Sequence, residues 1–481
     1  MKYLFFDLRA LGLMRICIAL VIILDLSIRI SDLEAFYTNT GAAPLQMLFG
    51  YAWNNQFISL HTISGAYEIQ FLLFLLSYFF AFLLFIGYRT QLFTFLSWAM
   101  MVSLHNRNGL ILQGGDDLLR MILFWSIFIP WGRRYSFDSI KSVSDIKAYE
   151  LRTPAVLAYL FQICYLYSGS ALLKGVEWNT DFSALYYVYS LDQISYPITS
   201  LLYPHPELLK ILTALAYYFE LLIPLLFFVP FKHGLCRSLG VVLIILFHSL
   251  NEIALLIGLF PYIGMATSIG ILPRGFMDKF EYFFRNLKYK MVFVFTLAGT
   301  FIKLVISYRT PLYRDSIITS GLVIFFMVFV CDWNYSNLHF VKSKLSDDLR
   351  FIGYGLRLDQ SWGMFAPGVL KDDGWYVLHG ESKTKKHMNL MNPQEKLNYN
   401  KPKSVTAHFK NDRWRKYYEN LMLADHSFMR GYYCSYKTRI WNEEHPGLAL
   451  KSLEIIYMRE LTLADYQYFK PEKNLLWRCD F

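Results

Sequence analysis

Long apolar runs recur through the first two-thirds of the chain and restrict its fold more than any other sequence feature. A helix needs about 17–25 mainly apolar residues to cross a bilayer. The hydrophobic content of 55% and the mean hydropathy of +0.30 indicate a polytopic membrane protein rather than a soluble one. The first block has eight predicted spans: residues 11–30, 69–87, 92–104, 118–131, 154–173 and 207–230, a seventh containing 247–262, and an eighth ending at 273.

The positions of lysine and arginine predict how these spans are oriented. Much of the net charge of +10 lies in short loops, such as residues 132–152, 232–237 and 274–290, which indicates that these loops are cytoplasmic. Residues 31–68 contain no lysine or arginine, as expected on the other side. Because the charge orients the spans, it is no nucleic-acid signature, and we expect no nucleic-acid partner. Runs 291–307 and 317–331 add one or two later spans.

Residues 340–481 differ from the rest, because they are polar and aromatic without long apolar runs. Residues 374–380 and 451–461 alternate like half-buried strands, and residues 413–422 form an amphipathic helical pattern. The sequence therefore predicts an all-α polytopic membrane bundle of about 8–10 transmembrane helices, followed by an α+β or β-rich extramembrane domain. The predicted divisions are a transmembrane block (1–273), a basic linker with one or two spans (274–335) and the C-terminal domain (336–481).

Six cysteines are present, and two of them, Cys434 and Cys479, lie in the polar C-terminal domain. They can pair if that domain faces an oxidising compartment. Neither cysteines nor histidines show the spacing of a zinc site, so we expect no metal.

Residues 165–178 continue the fifth apolar run directly into Lys174, Gly175 and Glu177. At the mouth of an intramembrane cavity, a lysine loses hydration, which disfavours its ammonium form and leaves an amine that can accept a proton. The alternative is a snorkelling lysine, whose stem lies in lipid and whose charged group stays in water.

Two other spans carry polar groups that need partners. Glu220 lies within an apolar stretch, so it must be protonated or paired, and Lys174 or an arginine of the first span could pair with it. His248, Asn251 and Glu252 fall at positions i, i+3 and i+4 of one helix. Hydrogen bonding between helices explains one such residue, whereas three on one stripe predict the lining of a cavity.

Charged residues also gather in the first span and before the fourth. Arg15, Asp25 and Arg29 should face the protein interior and pair there. The dipole at a helix N-terminus explains one acidic residue there. Residues 103–120 contain more ionisable residues than capping requires, which predicts a functional site. Its polar residues are His105, Arg107, Asn108, Asp116, Asp117 and Arg120.

With these residues assembled, the chain resembles the vitamin K-dependent gamma-carboxylase and, more broadly, the bacterial HTTM (horizontally transferred transmembrane) family. The likeness covers about residues 8–273 and fragments of the C-terminal domain, and its segments keep the same order along the chain. The segments are FHSLNEIALLIGLFPY at 247–262, Tyr88-Arg89, SFD at 136–138, Gly169, Lys174 and Trp178, SWGMF at 361–365 and RWRKYYENLM at 413–422.

The resemblance implies a cavity that opens to the lumenal or periplasmic side, in a plasma (inner) membrane protein whose C-terminal domain is extracytoplasmic. If runs 291–307 and 317–331 are two separate spans, the even number of spans instead predicts a cytoplasmic domain. The resemblance also implies that Lys174 deprotonates a reduced, vitamin K-like quinone. Three departures argue against glutamate carboxylation itself. The spacing from Lys174 to Trp178 is one residue shorter than in the carboxylase, no propeptide-binding segment is identified, and Asp116 replaces a catalytic histidine. A carboxylate there would repel a developing carbanion.

Our first hypothesis is an intramembrane enzyme acting on a quinol or other lipid-like substrate. Lys174 is the base, Asp116 and His248 are the other predicted catalytic residues, and these groups should share one cavity. The residues predicted to bind the substrate or cofactor are His105, Arg107, Asp117, Arg120, Trp178, Glu220 and Asn251. The alternative is a non-catalytic maturation or export factor, or a lipid-binding scaffold, for a secreted peptide; it predicts separate structural pairs. A transporter is disfavoured because no inverted repeat is visible.

Overall fold

The structure is a computed structural model that describes residues 4–141, 150–284, 316–341, 346–463 and 467–481. We number its helices of nine or more residues in chain order: α1 Leu8–Ile30, α2 Tyr67–Ile86, α3 Thr90–Arg107, α4 Gly114–Ser126, α5 Pro154–Leu173, α6 Pro206–Leu226, α7 His233–Ala254, α8 Phe260–Ile269, α9 Arg274–Phe283, α10 Ile317–Ser336, α11 Asp347–Gly355, α12 Asp412–Met422 and α13 Met429–Glu444. Shorter helical segments are Leu33–Tyr37, Leu45–Met47, Phe137–Lys141, Val176–Asn179 and Ala184–Ser190. The strands are β1 Phe6–Asp7, β2 Glu150–Leu151, β3 Asp372–Ser382, β4 His387–Asn389, β5 Leu450–Leu461 and β6 Glu472–Asp480.

Six of these helices are long and apolar enough to cross a membrane: α1, α2, α5, α6, α7 and α10. Helices α1 and α5 lie at the centre, with 56% and 67% of their apolar windows buried, against 28% in the other four. The outer helices expose large apolar side chains such as Leu72, Phe82, Leu215 and Leu250. Apolar surface on this scale is typical of contact with lipid.

Four predicted spans differ from the helices observed, and the eighth, which was predicted to end at residue 273, is only the ten-residue helix α8. The third and fourth become α3 and α4, which are not among the six apolar helices, and α4 has 13 residues, about 20 Å of helix. The seventh prediction ran through residues 247–262, but α7 ends at Ala254. Gly258 has φ +62°, a left-handed conformation that favours glycine, and the chain restarts as the ten-residue α8. The predicted span 291–307 lies outside the described residues.

The C-terminal domain contains a four-stranded antiparallel sheet in the order β4-β3-β5-β6. Strands β3 and β5 contain the two predicted strand fragments and pair with each other from Asp372↔Leu461 onward. Helix α12 contains the predicted amphipathic helix. Helix α13 packs against β5 and β6, and the disulfide Cys434–Cys479 joins α13 to β6. The domain is therefore α+β.

This domain packs on the end of the bundle where α1, α5 and α10 terminate. Trp414 Nε1 donates to Asp32 Oδ1 at 3.0 Å, just beyond α1. The Gly175 amide donates to the Pro367 carbonyl at 2.6 Å, just beyond α5. Trp333 Nε1 donates to the Gln360 carbonyl at 3.1 Å, near the end of α10. The C-terminal domain and Lys174 consequently lie at the same end of the bundle.

Candidate functional site

A cavity of about 430 Å³ lies at this end of the bundle, between the helices and the C-terminal domain. This volume is within the range of small-molecule sites, which is about 300–1,000 Å³. Its walls are mainly aliphatic and aromatic, with Leu166, Leu185, Val188, Phe247 and Phe260 among them. The polar and charged lining residues are Gln113, Tyr167, Ser170, Lys174, Trp178, Glu220, His248, Asn251, Arg415, Lys416 and Glu419.

One stripe of α5 forms a wall of this cavity. Ser170 follows Tyr167 at position i+3, and Lys174, the C-cap of α5, follows Ser170 at position i+4. This spacing places all three on one face of the helix. Ser170 is 1% exposed, and its Oγ has no hydrogen-bond partner within the described ranges. The stripe therefore carries two hydroxyl groups beside Lys174, and the Ser170 hydroxyl has no hydrogen-bond partner among the described residues.

Lys174 is buried and does not snorkel into water. Its exposure is 6%, its Nζ is in hydrogen-bond contact with Glu220 Oε2, and it lies 4.0 Å from the centre of the Trp178 ring. Trp178 is fixed in turn because its Nε1 donates to the Phe365 carbonyl at 2.9 Å. Of the two predicted partners for Glu220, the structure selects Lys174.

His248 reaches the cavity from α7. Its Nε2 lies 2.9 Å from Tyr167 Oη, while its Nδ1 has no partner in the described part of the chain. A Cβ atom on Gly264 would lie 2.1 Å from Nε2, so only glycine on α8 leaves room for this ring. Asn251 also lines the cavity. Glu252 is not among the described lining residues, and Tyr262 Oη donates to its Oε1 at 3.0 Å. The predicted polar stripe of three therefore contributes two residues.

The C-terminal domain closes the cavity with residues 363–370 and part of α12. On α12, Arg415 Nη1 donates to Glu419 Oε2 and Lys416 Nζ donates to Glu419 Oε1, both at 2.6 Å. Burial alone would raise the pKa of Glu419, but the charges of Arg415 and Lys416 outweigh it and hold the pKa below its ordinary value. Two cations thus share one carboxylate at this wall.

Asp116 lies in a second polar group, which we call the ion cluster: Asp25, Arg29, Asp116 and Arg413. Arg413 donates to Asp116 Oδ2 at 2.6 Å and to Asp25 Oδ1 at 2.7 Å. Arg29 donates to Asp116 Oδ1 at 2.6 Å and to Asp25 Oδ2 at 2.7 Å. All four residues are buried, as predicted for Asp25 and Arg29. Asp116 is absent from the described cavity lining, although its neighbours Gln113–Gly115 belong to it.

The other predicted binding residues around α3 and α4 also lie outside the described cavity lining. His105 Nε2 is 3.4 Å from Asp116 Oδ1, beside the ion cluster. Arg120 donates to Asp117 Oδ1 at 2.7 Å. Arg107 is buried, and its Nε and Nη2 have no partner among the residues described. The structure thus brings Lys174, Trp178, Glu220, His248 and Asn251 together, and it places the remaining predicted residues elsewhere.

Two groups have ligand atoms within 4.8 Å of one another, as a metal site requires: Asp25, His105 and Asp116, and Asp192, Asp373 and Glu460. Arg29 and Arg413 already neutralise the first group. Lys401 contacts both Asp192 and Glu460 in the second. Because the protein supplies a cation to each group, neither calls for a metal ion.

Sequence reasoning missed Tyr167, Ser170 and the three charged residues of α12. The α5 pair could have been found, since both residues share the helical stripe of Lys174. The α12 residues carry no such signal, because their place depends on how the C-terminal domain packs. The apolar walls and the unpartnered Ser170 Oγ and His248 Nδ1 fit a ligand with a hydroxyl-bearing ring or chain.

No family model, curated protein or solved structure matches this chain. The likeness to the HTTM family and the carboxylase therefore stays a prediction carried by the motifs of the sequence.

Proposed function

We propose that this chain is an HTTM-like polytopic membrane enzyme whose cavity binds a quinol or another lipid-like substrate. The observation that supports the proposal is that Lys174, Glu220 and His248 line one cavity with apolar walls. Such walls favour a substrate with a large apolar part, and the few polar groups among them would orient it.

Lys174 would act as the base. The hydrogen-bond contact between its amine and Glu220 allows a proton to move between the two groups without crossing water. A substrate hydroxyl held near Lys174 would give its proton to this pair. His248 and Tyr167, bonded at 2.9 Å, would orient that hydroxyl or bind the oxygen that develops negative charge. A lipid-like substrate that fills the cavity would displace solvent from it and keep competing water away from the reaction.

The alternative, a non-catalytic maturation factor or lipid-binding scaffold, predicts separate pairs rather than a shared cavity. The ion cluster has that character, because it lies outside the cavity lining described above. The residues around Lys174 do not, since they face a common space. We therefore favour the enzyme and treat Asp116 as a structural residue.

The decisive experiment supplies reduced quinone and oxygen to the purified protein and measures formation of the quinone epoxide. We expect turnover by the wild type and its loss in Lys174→Ala. The matched control is Lys210→Ala, which removes an exposed lysine that pairs with Glu207 on α6. Equal turnover in wild type and Lys174→Ala, or none in either, would contradict quinol chemistry at Lys174.

We also propose that the C-terminal domain is extracytoplasmic in a plasma (inner) membrane protein. The disulfide Cys434–Cys479 supports this side, because disulfides persist in oxidising compartments. After reduction, a membrane-impermeant maleimide should label the half-buried Cys479 in intact cells. Cys236, near the start of α7 and the other end of the bundle, should react only after permeabilisation. The reverse pattern would place the domain in the cytoplasm.

A further inference from the structure

Arg415 is a buried cation of the C-terminal domain that lines the cavity. It is 5% exposed, and the only hydrogen bond of its side chain among the described residues runs from Nη1 to Glu419. Its Nε is buried and has no partner in that same part of the chain. A buried guanidinium is stabilised when all its donors face acceptors, so this side chain retains capacity to bind an anion.

The charged residues around the cavity also leave positive charge without a matching carboxylate. Its described lining holds three cations and two carboxylates. Lys174 and Glu220 pair with each other, which leaves Glu419 to serve both Arg415 and Lys416. A net positive charge therefore remains at the α12 wall. Because the opposite walls are mainly aliphatic and aromatic, the cavity combines a cationic end with an apolar body.

We infer that the cavity takes an anionic amphiphile, a long apolar chain that ends in a carboxylate or a phosphate monoester, with its head group held by Arg415 and Lys416. This inference rests on the proposed function, since it names the chemical class of the lipid-like substrate. The planar guanidinium fits the two oxygens of either acid, and Lys416 adds a second charged donor. Glu419 holds both cations in place until the acidic head group arrives.

The test compares three ligands with one long alkyl chain and different head groups: a carboxylate, a phosphate monoester and a neutral hydroxyl. Binding to the purified full-length protein in neutral detergent is measured by titration. We expect both acids to bind about ten-fold more tightly than the alcohol, the effect of one charge-assisted hydrogen bond. Inorganic phosphate is added as a competitor and should not displace them at equal concentration. Displacement would indicate a site for free anions and overturn the inference.

Variants of α12 test whether the preference for acidic ligands depends on its charged residues. Arg415→Gln should remove most of the ten-fold preference and leave the affinity for the alcohol unchanged, while Arg415→Lys should retain part of it. Glu419→Gln should act in the opposite direction and strengthen binding of both acids a few-fold, because it removes the internal competitor. This variant keeps the inference testable if Arg415→Gln fails to fold. Lys396→Gln, an exposed lysine of the same domain, should change nothing.

The outcomes separate this inference from the proposed function. Equal affinity for all three ligands would overturn the anionic head group and leave a neutral lipid-like substrate in place. A preference for acids that survives Arg415→Gln, with no gain in Glu419→Gln, would place the anion elsewhere and also overturn it. Absence of binding by any of the ligands would contradict both the inference and a lipid-binding cavity.

Discussion

The ion cluster and the cavity around Lys174 are two groups of buried charge in one apolar bundle, and they differ in whether their unpaired polar atoms belong to residues that line a cavity. In the ion cluster, both oxygens of Asp25 and both of Asp116 accept hydrogen bonds from arginines. Arg413 Nε has no hydrogen-bond partner among the described residues, but Arg413 is not part of the described cavity lining. Around the cavity, Ser170 Oγ, His248 Nδ1 and Arg415 Nε have no partner among the described residues. Buried ionisable residues in a membrane bundle thus do not all mark a site. A functional site is better indicated by buried polar atoms that lack a hydrogen-bond partner and belong to residues lining a cavity.

The strongest test of this difference is the removal of Arg413. Arg413→Ala would leave Asp25 and Asp116 with too little positive charge in a buried place, which typically costs about 3–5 kcal/mol of unfolding free energy. Burial lowers the pKa of Arg413, but the charges of Asp116 and Asp25 outweigh it and raise the pKa well above its usual value, so the charge persists at any practical pH. Thermal unfolding in detergent measures the loss.

Lys410→Ala is the control for Arg413, since it removes a largely exposed cation that also connects the C-terminal domain to the bundle, through Asp32. It should cost less than about 1 kcal/mol. If both variants unfold at the same temperature as the wild type, the ion cluster does not hold the domain in place, and the distinction between the two groups fails.

A smaller effect is expected at Lys174 and Glu220, because the adjoining cavity lets solvent reach a charge left alone. Lys174→Met and Glu220→Gln should each cost about 1–3 kcal/mol. The double variant should cost less than their sum, with a coupling of about 0.5–3 kcal/mol. Thermal unfolding of all four proteins gives this coupling. Strictly additive losses would show that the two side chains do not interact.

A pH effect is expected at the contact between the C-terminal domain and residues 192–193, whose backbone amides donate to the Asp373 carboxyl group. Burial raises the pKa of Asp373 to about 8, and the charge of Asp192 acts in the same direction, against Lys401. In the unfolded chain this carboxyl has a pKa of about 3.9. The folded protein therefore holds a proton that the unfolded chain releases, and stability falls as pH rises from about 4 to about 8.

For Asp373 the slope is at most about 1.4 kcal/mol per pH unit, the limit for one proton. Unfolding temperatures measured from pH 5 to pH 8 in the wild type and Asp373→Asn check this result. The unfolding temperature of Asp373→Asn should fall less with rising pH than that of the wild type, because an amide does not titrate. Parallel curves for the two proteins would show that Asp373 does not hold the proton.

Helices and strands of this chain were predictable where one pattern decided them. Apolar length predicted the six long helices, and alternation predicted β3 and β5. The end of α7 at Ala254 was missed because apolar residues continue across it, although Gly258 and Pro261 are local signals for a break. Lys174, Glu220 and His248 could be picked out as polar residues within apolar runs. Arg413 enters the bundle, whereas Arg415 faces the cavity. This difference depends on how the C-terminal domain packs on the bundle, and the local sequence of α12 does not encode it.

The smallest expected effect separates two neighbours on α7. Asn251 lines the cavity, whereas Glu252 accepts a hydrogen bond from Tyr262 on a half-exposed surface. Asn251→Ala and Glu252→Gln should each change stability by no more than about 0.5 kcal/mol, because neither leaves a buried charge unpaired. Only Asn251→Ala should weaken binding of the alkyl ligands described above. If Glu252→Gln weakens ligand binding as much as Asn251→Ala does, then a position in the cavity lining does not distinguish functional polar residues in this protein.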